Sequence, residues 1–407
     1  MQGWGLLARI SSDRIHARTI MKILSIETSC DETALAIVDI HINEQGERVF
    51  TVLANHVLSQ IDIHKEYGGV FPMLAKREHA RTLVPLLIQT LQKAGMYKKT
   101  SRHVIEHPLR QEFQEILERE PELFGQFITE VPHIDPPSID AIAVTQGPGL
   151  EPALWVGINF AKALSLVWKK PIIPVNHMEG HLLGSVVEET TPDTLTLPQI
   201  NFPALGLLVS GGHTELILIE AWGNYKLIGE TKDDAVGEAF DKVARMLGLP
   251  YPGGPEISRL GKEGRAGIYP LPRPMLNSKD YDFSFAGLKT AVLYLIKKIG
   301  TPSAEDKADI AREFEDACVD VLVAKTMRAS EEFGARHIIL GGGVSANTLL
   351  RERLRAKAET IHLPISIPDH HLSTDNALMI AIAAGTHPET RVQGELRARG
   401  NWRLTTT

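Results

Sequence analysis

From Ile23 onward, apolar residues come in short blocks, each closed by polar or glycine-rich positions. The block Ile23-Leu24-Ser25-Ile26, a polar stretch over 27–32 and a second block over 33–38 predict strand, hairpin turn and strand. The pattern returns later as Leu207-Leu208-Val209, the turn Ser210-Gly211-Gly212-His213-Thr214, and an apolar run over 215–219. Helices and strands alternate after each unit. Two such units predict an internally duplicated α/β fold with a cleft between its halves. Turns of this kind bring backbone amides close to anionic oxygens, and glycine permits the approach.

Other strand-to-helix junctions carry the same kind of loop. An apolar strand over 139–144 runs into Gln146-Gly147-Pro148-Gly149 and a helix over 151–168. A strand over 337–340 leads into Gly341-Gly342-Gly343-Val344-Ser345-Ala346-Asn347, so that a helix N-terminus faces an anion or a nucleoside. No G-x-x-x-x-G-K-[ST] occurs, which excludes a P-loop NTPase. The segment 98–137 breaks the rhythm. Its Leu109, Phe113, Ile116 and Leu117 fall at helical spacing and predict one or two amphipathic helices packed on the surface as an insertion.

The strongest candidate chemistry is His177-Met178-Glu179-Gly180-His181. Histidines four apart share one helix face, and both imidazoles reach a single divalent ion. In a metalloprotease H-E-x-x-H helix the glutamate directly follows the first histidine. Glu179 lies one residue further on, on the far side of the helix, so peptide hydrolysis is not expected there. Spacing leaves the third ligand open among Asp375, His370 and His371. Asp234, Glu238 and Asp241 form an acidic face that invites a hydroxyl or cation ligand. Lys76-Arg77-Glu78-His79-Ala80-Arg81 is the best local candidate for phosphate contact. The run 282–290 is distinctive but has no chemistry that spacing reveals.

Composition narrows this only slightly. The chain has 407 residues, 43 lysines and arginines against 50 aspartates and glutamates, and a formal charge of −7. Global attraction to nucleic acid is therefore absent, and any such partner must meet a local patch or a second subunit. Two cysteines, Cys30 and Cys318, fit a reducing compartment. No apolar run reaches membrane-spanning length. Residues 1–20, with Arg9, Arg14 and Arg18 around a short apolar patch, read as an upstream start or a disordered leader.

Eight elements stand in order: Ile26-Glu27-Thr28-Ser29-Cys30-Asp31-Glu32-Thr33, the loop 146–149, the histidine pair, the turn 210–214, Gly237-Glu238-Ala239-Phe240-Asp241-Lys242, Tyr251-Pro252-Gly253-Gly254-Pro255, the loop 341–347, and Ser373-Thr374-Asp375-Asn376. Together they closely resemble the TsaD family of tRNA N6-adenosine threonylcarbamoyltransferases, once described as O-sialoglycoprotein endopeptidases, over nearly all of 21–403. The resemblance implies the actin-like ATPase fold, two RNase-H-like halves around a cleft. The halves are expected at 21–173 and 174–385, the second carrying the metal and adenylate site, with a tail over 386–407 packing back on the first.

The resemblance further implies that His177, His181 and Asp375 bind one divalent metal ion, iron or zinc. It sets the donor, threonylcarbamoyl-AMP, against Leu208, Val209, Ser210, Gly211, Gly212, Asp241, Gly254 and Asn347. The implied reaction acylates N6 of the adenosine beside the anticodon of tRNA and releases AMP. Asp31, Glu32 and His213 are the candidates for removing the amine proton. A TsaB-like paralogue and a TsaE-like ATPase are the partners expected in bacterial members, in the cytoplasm and without a membrane. The stretch 149–155 and the insertion over 98–137 depart from the common bacterial pattern. A metal-dependent peptidase and a non-catalytic actin-like nucleotide-binding scaffold are the competing readings.

Overall fold

The structure, a computed structural model, describes residues 18–100, 107–387 and 395–405. The expected leader over 1–20 lies outside the described residues as far as residue 17, and Arg18 already opens a strand.

Strands β1 (Arg18–Glu27), β2 (Glu32–Ile42), β3 (Arg48–Ser59), β4 (Ala141–Gly147), β5 (Ile172–Asn176), β6 (Glu188–Thr191) and β7 (Thr194–Leu197) form one sheet, ordered β5-β4-β1-β2-β3-β7-β6. Strands β8 (Ala204–Val209), β9 (Thr214–Ala221), β10 (Asn224–Glu230), β11 (His337–Gly341) and β12 (Ile365–Ser366) form the other, ordered β10-β9-β8-β11-β12. The two share one plan. An antiparallel meander β1-β2-β3 answers β8-β9-β10, and β4 and β11 lie parallel to the opening strand of each. This is the duplication that the two strand–turn–strand units predicted.

The helices of the first stretch are α1 (Ile61–His64), α2 (Pro72–Lys93), α3 (His107–Ile116), α4 (Pro121–Glu130), α5 (Glu151–Trp168) and α6 (His177–Gly184). The second stretch supplies α7 (Val236–Met246), α8 (Gly253–Gly261), α9 (Ala286–Ile299), α10 (Ala304–Glu332), α11 (Thr348–Thr360), α12 (His370–Ser373) and α13 (Ala377–Thr386). Both faces of each sheet are covered, so alternate strand residues enter different cores. Leu24, Ile26, Leu35 and Ile37 pack against the outer helices of the first half, whereas Ile23, Ala34, Ala36 and Val38 face inward. The inward core also takes Leu208 and Ile217 from the second sheet, Leu182 from α6 and Met379 from α13. Helices α6 and α13 thus form a central layer between the sheets. They approach closely because α6 has glycine where they meet. A Cβ on Gly180 would lie 3.2 Å from both Met379 and Ile380.

The boundary expected between 173 and 174 falls inside β5. Strands β6 and β7 extend the first sheet, and α13, from the far end of the chain, also packs on β1 and β2. Sheet membership follows hydrogen bonding between distant segments, which local pattern does not carry. In the tail, Arg399 donates its amide to Gln146 and Gly400 accepts from Gly149, against the β4–α5 loop.

The insertion folds as the helices its spacing predicted. Phe113, Leu117, Leu123 and Phe127 are fully buried in the outer core of the first half. Its base closes where the Thr100 amide donates to His133 and that of Asp135 to Lys98. The acidic face does not survive as a cation site. Lys242 lies 2.8 Å from Asp234 and 2.7 Å from Glu238, and Lys289 lies 2.7 Å from Asp234. The run over 282–290 has a structural explanation: Asp233 accepts from the Phe285 and Ala286 amides at 2.8 and 3.1 Å, capping α9 over the buried Phe283 and Phe285.

Glu215 on β9 supplies a pH prediction. Burial, with Glu230 directly across the ladder, pushes its carboxyl up from 4.5 to about 7. As pH rises the unfolded chain releases this proton first, so the group's stability contribution is full below 4.5 and is lost through 7. Denaturant titrations of wild type and Glu215→Gln should diverge across that window, by about 3 kcal/mol in favour of the variant above it.

Candidate metal centre and nucleotide cavity

Two asparagine caps set the geometry of the histidine pair and its third partner. Asn176 accepts from the Met178 and Glu179 amides at 2.9 and 3.3 Å, which starts α6 at His177. Asn376 accepts from the Met379 amide at 2.9 Å and starts α13, leaving Asp375 just ahead of the helix. Asp375 Oδ1 then lies 3.0 Å from His181 Nε2 and 3.4 Å from His177 Nε2. The imidazole centroids are 4.7 Å apart. One donor atom from each of the three residues falls within 4.8 Å of the others. His370 and His371, the competitors left open by spacing, are exposed; His371 instead meets Glu189 and Asp369 at the surface.

Glu27 is the residue sequence reasoning missed. It is fully buried at the end of β1, with Oε2 3.1 Å from His177 Nδ1. Thr145 donates to the same oxygen at 2.6 Å, and the Ser29 amide donates to the other at 2.5 Å. A carboxylate behind Nδ1 fixes the proton there and turns the Nε2 lone pair toward the cluster, the arrangement metal-binding histidines use. Burial opposes charge on His177, but Asp375 and Glu27 outweigh it and hold the imidazole well above its ordinary range. Burial likewise opposes ionisation of Asp375, and the two histidines reverse it, keeping the carboxyl well below its ordinary range. Two imidazole nitrogens and an ionised carboxylate converging on one point fit a divalent ion with a further position open. Glu27→Gln keeps the shape but weakens the hold on Nδ1. Metal affinity measured by competition with a chelating dye should fall about 10- to 100-fold.

The second half carries a cavity of about 420 Å³, lined by Gly211, Gly237, Phe240, Asp241, Gly254, Ser258, Val344 and Asn347 among others. Of the expected donor-binding residues, Gly211, Asp241, Gly254 and Asn347 are on its wall, while Leu208 and Val209 are fully buried in β8. Asp241 accepts from the Gly253 amide at 2.7 Å, which pins the start of α8. Burial raises its carboxyl, and the Gly253 and Gly254 amides partly offset this. Asn347 caps α11 through the Leu350 amide at 2.8 Å and donates to Ser258 and Glu315 at 3.0 and 2.7 Å. Its amide is therefore held rigid by Glu315, a buried residue that nothing in the sequence pattern singles out.

The turn 210–213 joins cavity and cluster. Gly211 lines the cavity, and His213 at the other end of the turn lies in the field of His177, His181 and Asp375. The Gly212 and His213 amides donate to Ser210 Oγ at 3.3 and 3.1 Å, so they hold the turn in shape. Burial, reinforced by His177 and His181, pushes the His213 imidazole down to about 4. Asp31 and Glu32 move the other way. Burial and then the Asp375 charge raise both carboxyls, Glu32 the more strongly.

The family model for tRNA N6-adenosine threonylcarbamoyltransferase (TsaD) matches residues 51–105 and 118–382. A protein of that name from Ralstonia pickettii (strain 12J) is 45% identical over 367 residues, 89% of this chain and 90% of its own. Another, from Anaeromyxobacter sp. (strain Fw109-5), is 42% identical over 388 residues, 94% of this chain and 100% of its own. The chain belongs to the TsaD family. Among solved structures, T. kodakarensis HypF covers 92% of this chain with 49% of its own length, at a TM-score of 0.50 and 11% identity, a likeness of fold.

The family match breaks over 106–117, which is α3 and its flanks, so that part of the insertion is outside the common family pattern. The peptidase reading lacks its base. Glu179 points away from the cluster, accepting from the Tyr225 hydroxyl at 2.6 Å and lying 3.2 Å from His387 Nε2.

Proposed function

We propose that this chain transfers the threonylcarbamoyl group from threonylcarbamoyl-AMP to N6 of adenosine 37, beside the anticodon, in tRNAs reading codons that begin with A. One observation carries the reading beyond family membership: the turn 210–213 lines a cavity of nucleotide size through Gly211 and holds His213 within the electrostatic reach of His177, His181 and Asp375. A donor seated there presents its adenylate to Gly211, Asp241, Gly254 and Asn347 and its acyl end toward His177, His181 and Asp375. An iron or zinc ion held by those three residues would polarise the donor and stabilise charge on the carbonyl oxygen.

The leaving group, AMP, departs from a mixed anhydride and needs little help. The weakly nucleophilic aryl amine needs its proton removed. His213 is a poor base, because burial and its histidine neighbours have pushed its affinity for a proton down. Asp31 and Glu32, raised chiefly by burial, hold a proton more strongly and are the better acceptors. A TsaB-like paralogue and a TsaE-like ATPase complete the assembly in this reading, which supplies RNA-binding surface that a net charge of −7 does not. Among the described residues no helix is long and apolar enough to cross a membrane, in keeping with a cytoplasmic site of action.

The test is transfer to unmodified tRNA by the purified chain with donor and candidate partners, read as modified nucleoside by mass spectrometry. Product in the wild type supports the reading. A folded, metal-loaded chain that makes none with any partner set would return it to the scaffold class.

A further inference from the structure

Among the described residues, eleven large apolar side chains are exposed, and six of them fall within 57–73: Val57, Leu58, Ile63, Tyr67, Phe71 and Met73. Tyr67 and Phe71 stack on each other, with centroids 5.9 Å apart and planes at 23°, yet they remain 60% and 51% exposed. Aromatic faces left open in this way mark an interaction site more often than chance exposure does.

The segment hangs from the acidic turn of the cleft. The Gln60 amide donates to the Asp31 carbonyl at 2.9 Å, and Ser59 Oγ donates to Glu32 at 3.3 Å. From the other half, Arg245 on α7 donates to the Gly68 carbonyl. The stacked pair therefore stands where the two halves meet, on the segment whose start is anchored at Asp31 and Glu32. The structure also narrows the basic helix of 76–81. Lys76 is engaged by Glu120 at 3.3 Å and Arg81 by Glu78 at 2.5 Å, whereas Arg77 meets Glu78 only at 3.8 Å and is 70% exposed, one turn beyond Met73.

We propose that Tyr67 and Phe71 form a stacking platform for a single-stranded RNA base neighbouring the adenosine that enters the cleft, with Arg77 and Arg245 meeting the flanking phosphates. This rests on the transferase reading for its substrate. An N6 amine inside a loop reaches an enclosed site only when its base swings out of the stack, and its neighbours then lose a partner face. An exposed aromatic pair replaces that face without regard to base identity, and nearby guanidinium groups hold the backbone. A protein partner would cover the aromatics equally well. The exposed guanidinium groups of Arg77 and Arg245, on either side of the stacked pair in the chain's two halves, favour RNA.

The probe is an anticodon stem–loop carrying 2-aminopurine next to the target adenosine, titrated with the full chain. Wild type should quench the fluorophore. Tyr67→Ala and Phe71→Ala should lose the quench and weaken RNA binding about 10-fold or more, while Tyr67→Phe keeps both and donor binding is unchanged in all. Alanine variants that bind and quench like wild type overturn the platform, as does a wild type that neither binds nor quenches. Unchanged RNA binding with loss of co-elution with a protein partner would reassign the face to protein docking. Quenching by a wild type that makes no product would sink the transferase reading and leave the platform standing.

Discussion

His181→Ala should leave a folded protein that neither holds metal nor transfers the acyl group. His181 is 2% exposed and gives one of the three convergent donor atoms found among the described residues, so its loss leaves His177 and Asp375 as an incomplete set. Loss of a polarising ion removes several kcal/mol of transition-state stabilisation, roughly 10³-fold in rate. Elemental analysis should find metal reduced to background, and circular dichroism should be unchanged. Glu179→Gln is the control that separates two chemistries. A peptidase of the H-E-x-x-H kind would lose all activity on losing that carboxylate, whereas here metal content and transfer should persist, because Glu179 faces Tyr225 and His387. Retained metal and full transfer in His181→Ala would remove the centre from the mechanism.

Gly342→Ala should be the most damaging single-methyl change near the cavity. Gly342 sits at φ 86° and ψ 165°, a region open essentially to glycine alone. A Cβ there would lie 2.4 Å from the Val209 carbonyl oxygen, at the buried end of β8. Backbone cannot yield as a side chain does, so strain and overpacking together cost about 2–5 kcal/mol. The displacement falls on the strand that leads into Ser210, and donor binding should weaken along with thermal stability. Gly343→Ala, one residue on, meets nothing within 4 Å and should be near neutral in thermal stability. Equal melting temperatures for the two variants would contradict this account.

The sequence displays what is periodic. The helix over 151–168 has the bounds its pattern predicted, and both strand–turn–strand units are present as the pairs β1–β2 and β8–β9. Histidine spacing alone placed two candidate ligands on one helix face. What pattern could not show depends on distant partners. Glu27 looks like the first polar residue of a turn, and only the return of α6 against β1 turns it into a buried carboxylate behind His177. The acidic face seemed to invite a cation because Lys289 comes from another helix. Residues 173 and 174 lie within β5, and β6 and β7 extend the first sheet while α13 packs on it from far along the chain.

A helix layer enclosed by a sheet on either side has no outer surface of its own, and this bears on how the centre fills and empties. The His181 side chain is 1% exposed, that of His177 8% and that of Asp375 19%, so the Asp375 side is the doorway. Whatever lies in the cleft stands in that doorway. On the proposed function, an ion held there would arrive before the donor and leave after it, and its residence time would follow turnover rather than affinity alone. Chelators should then strip a resting enzyme quickly and a donor-saturated one slowly, at the same total metal content.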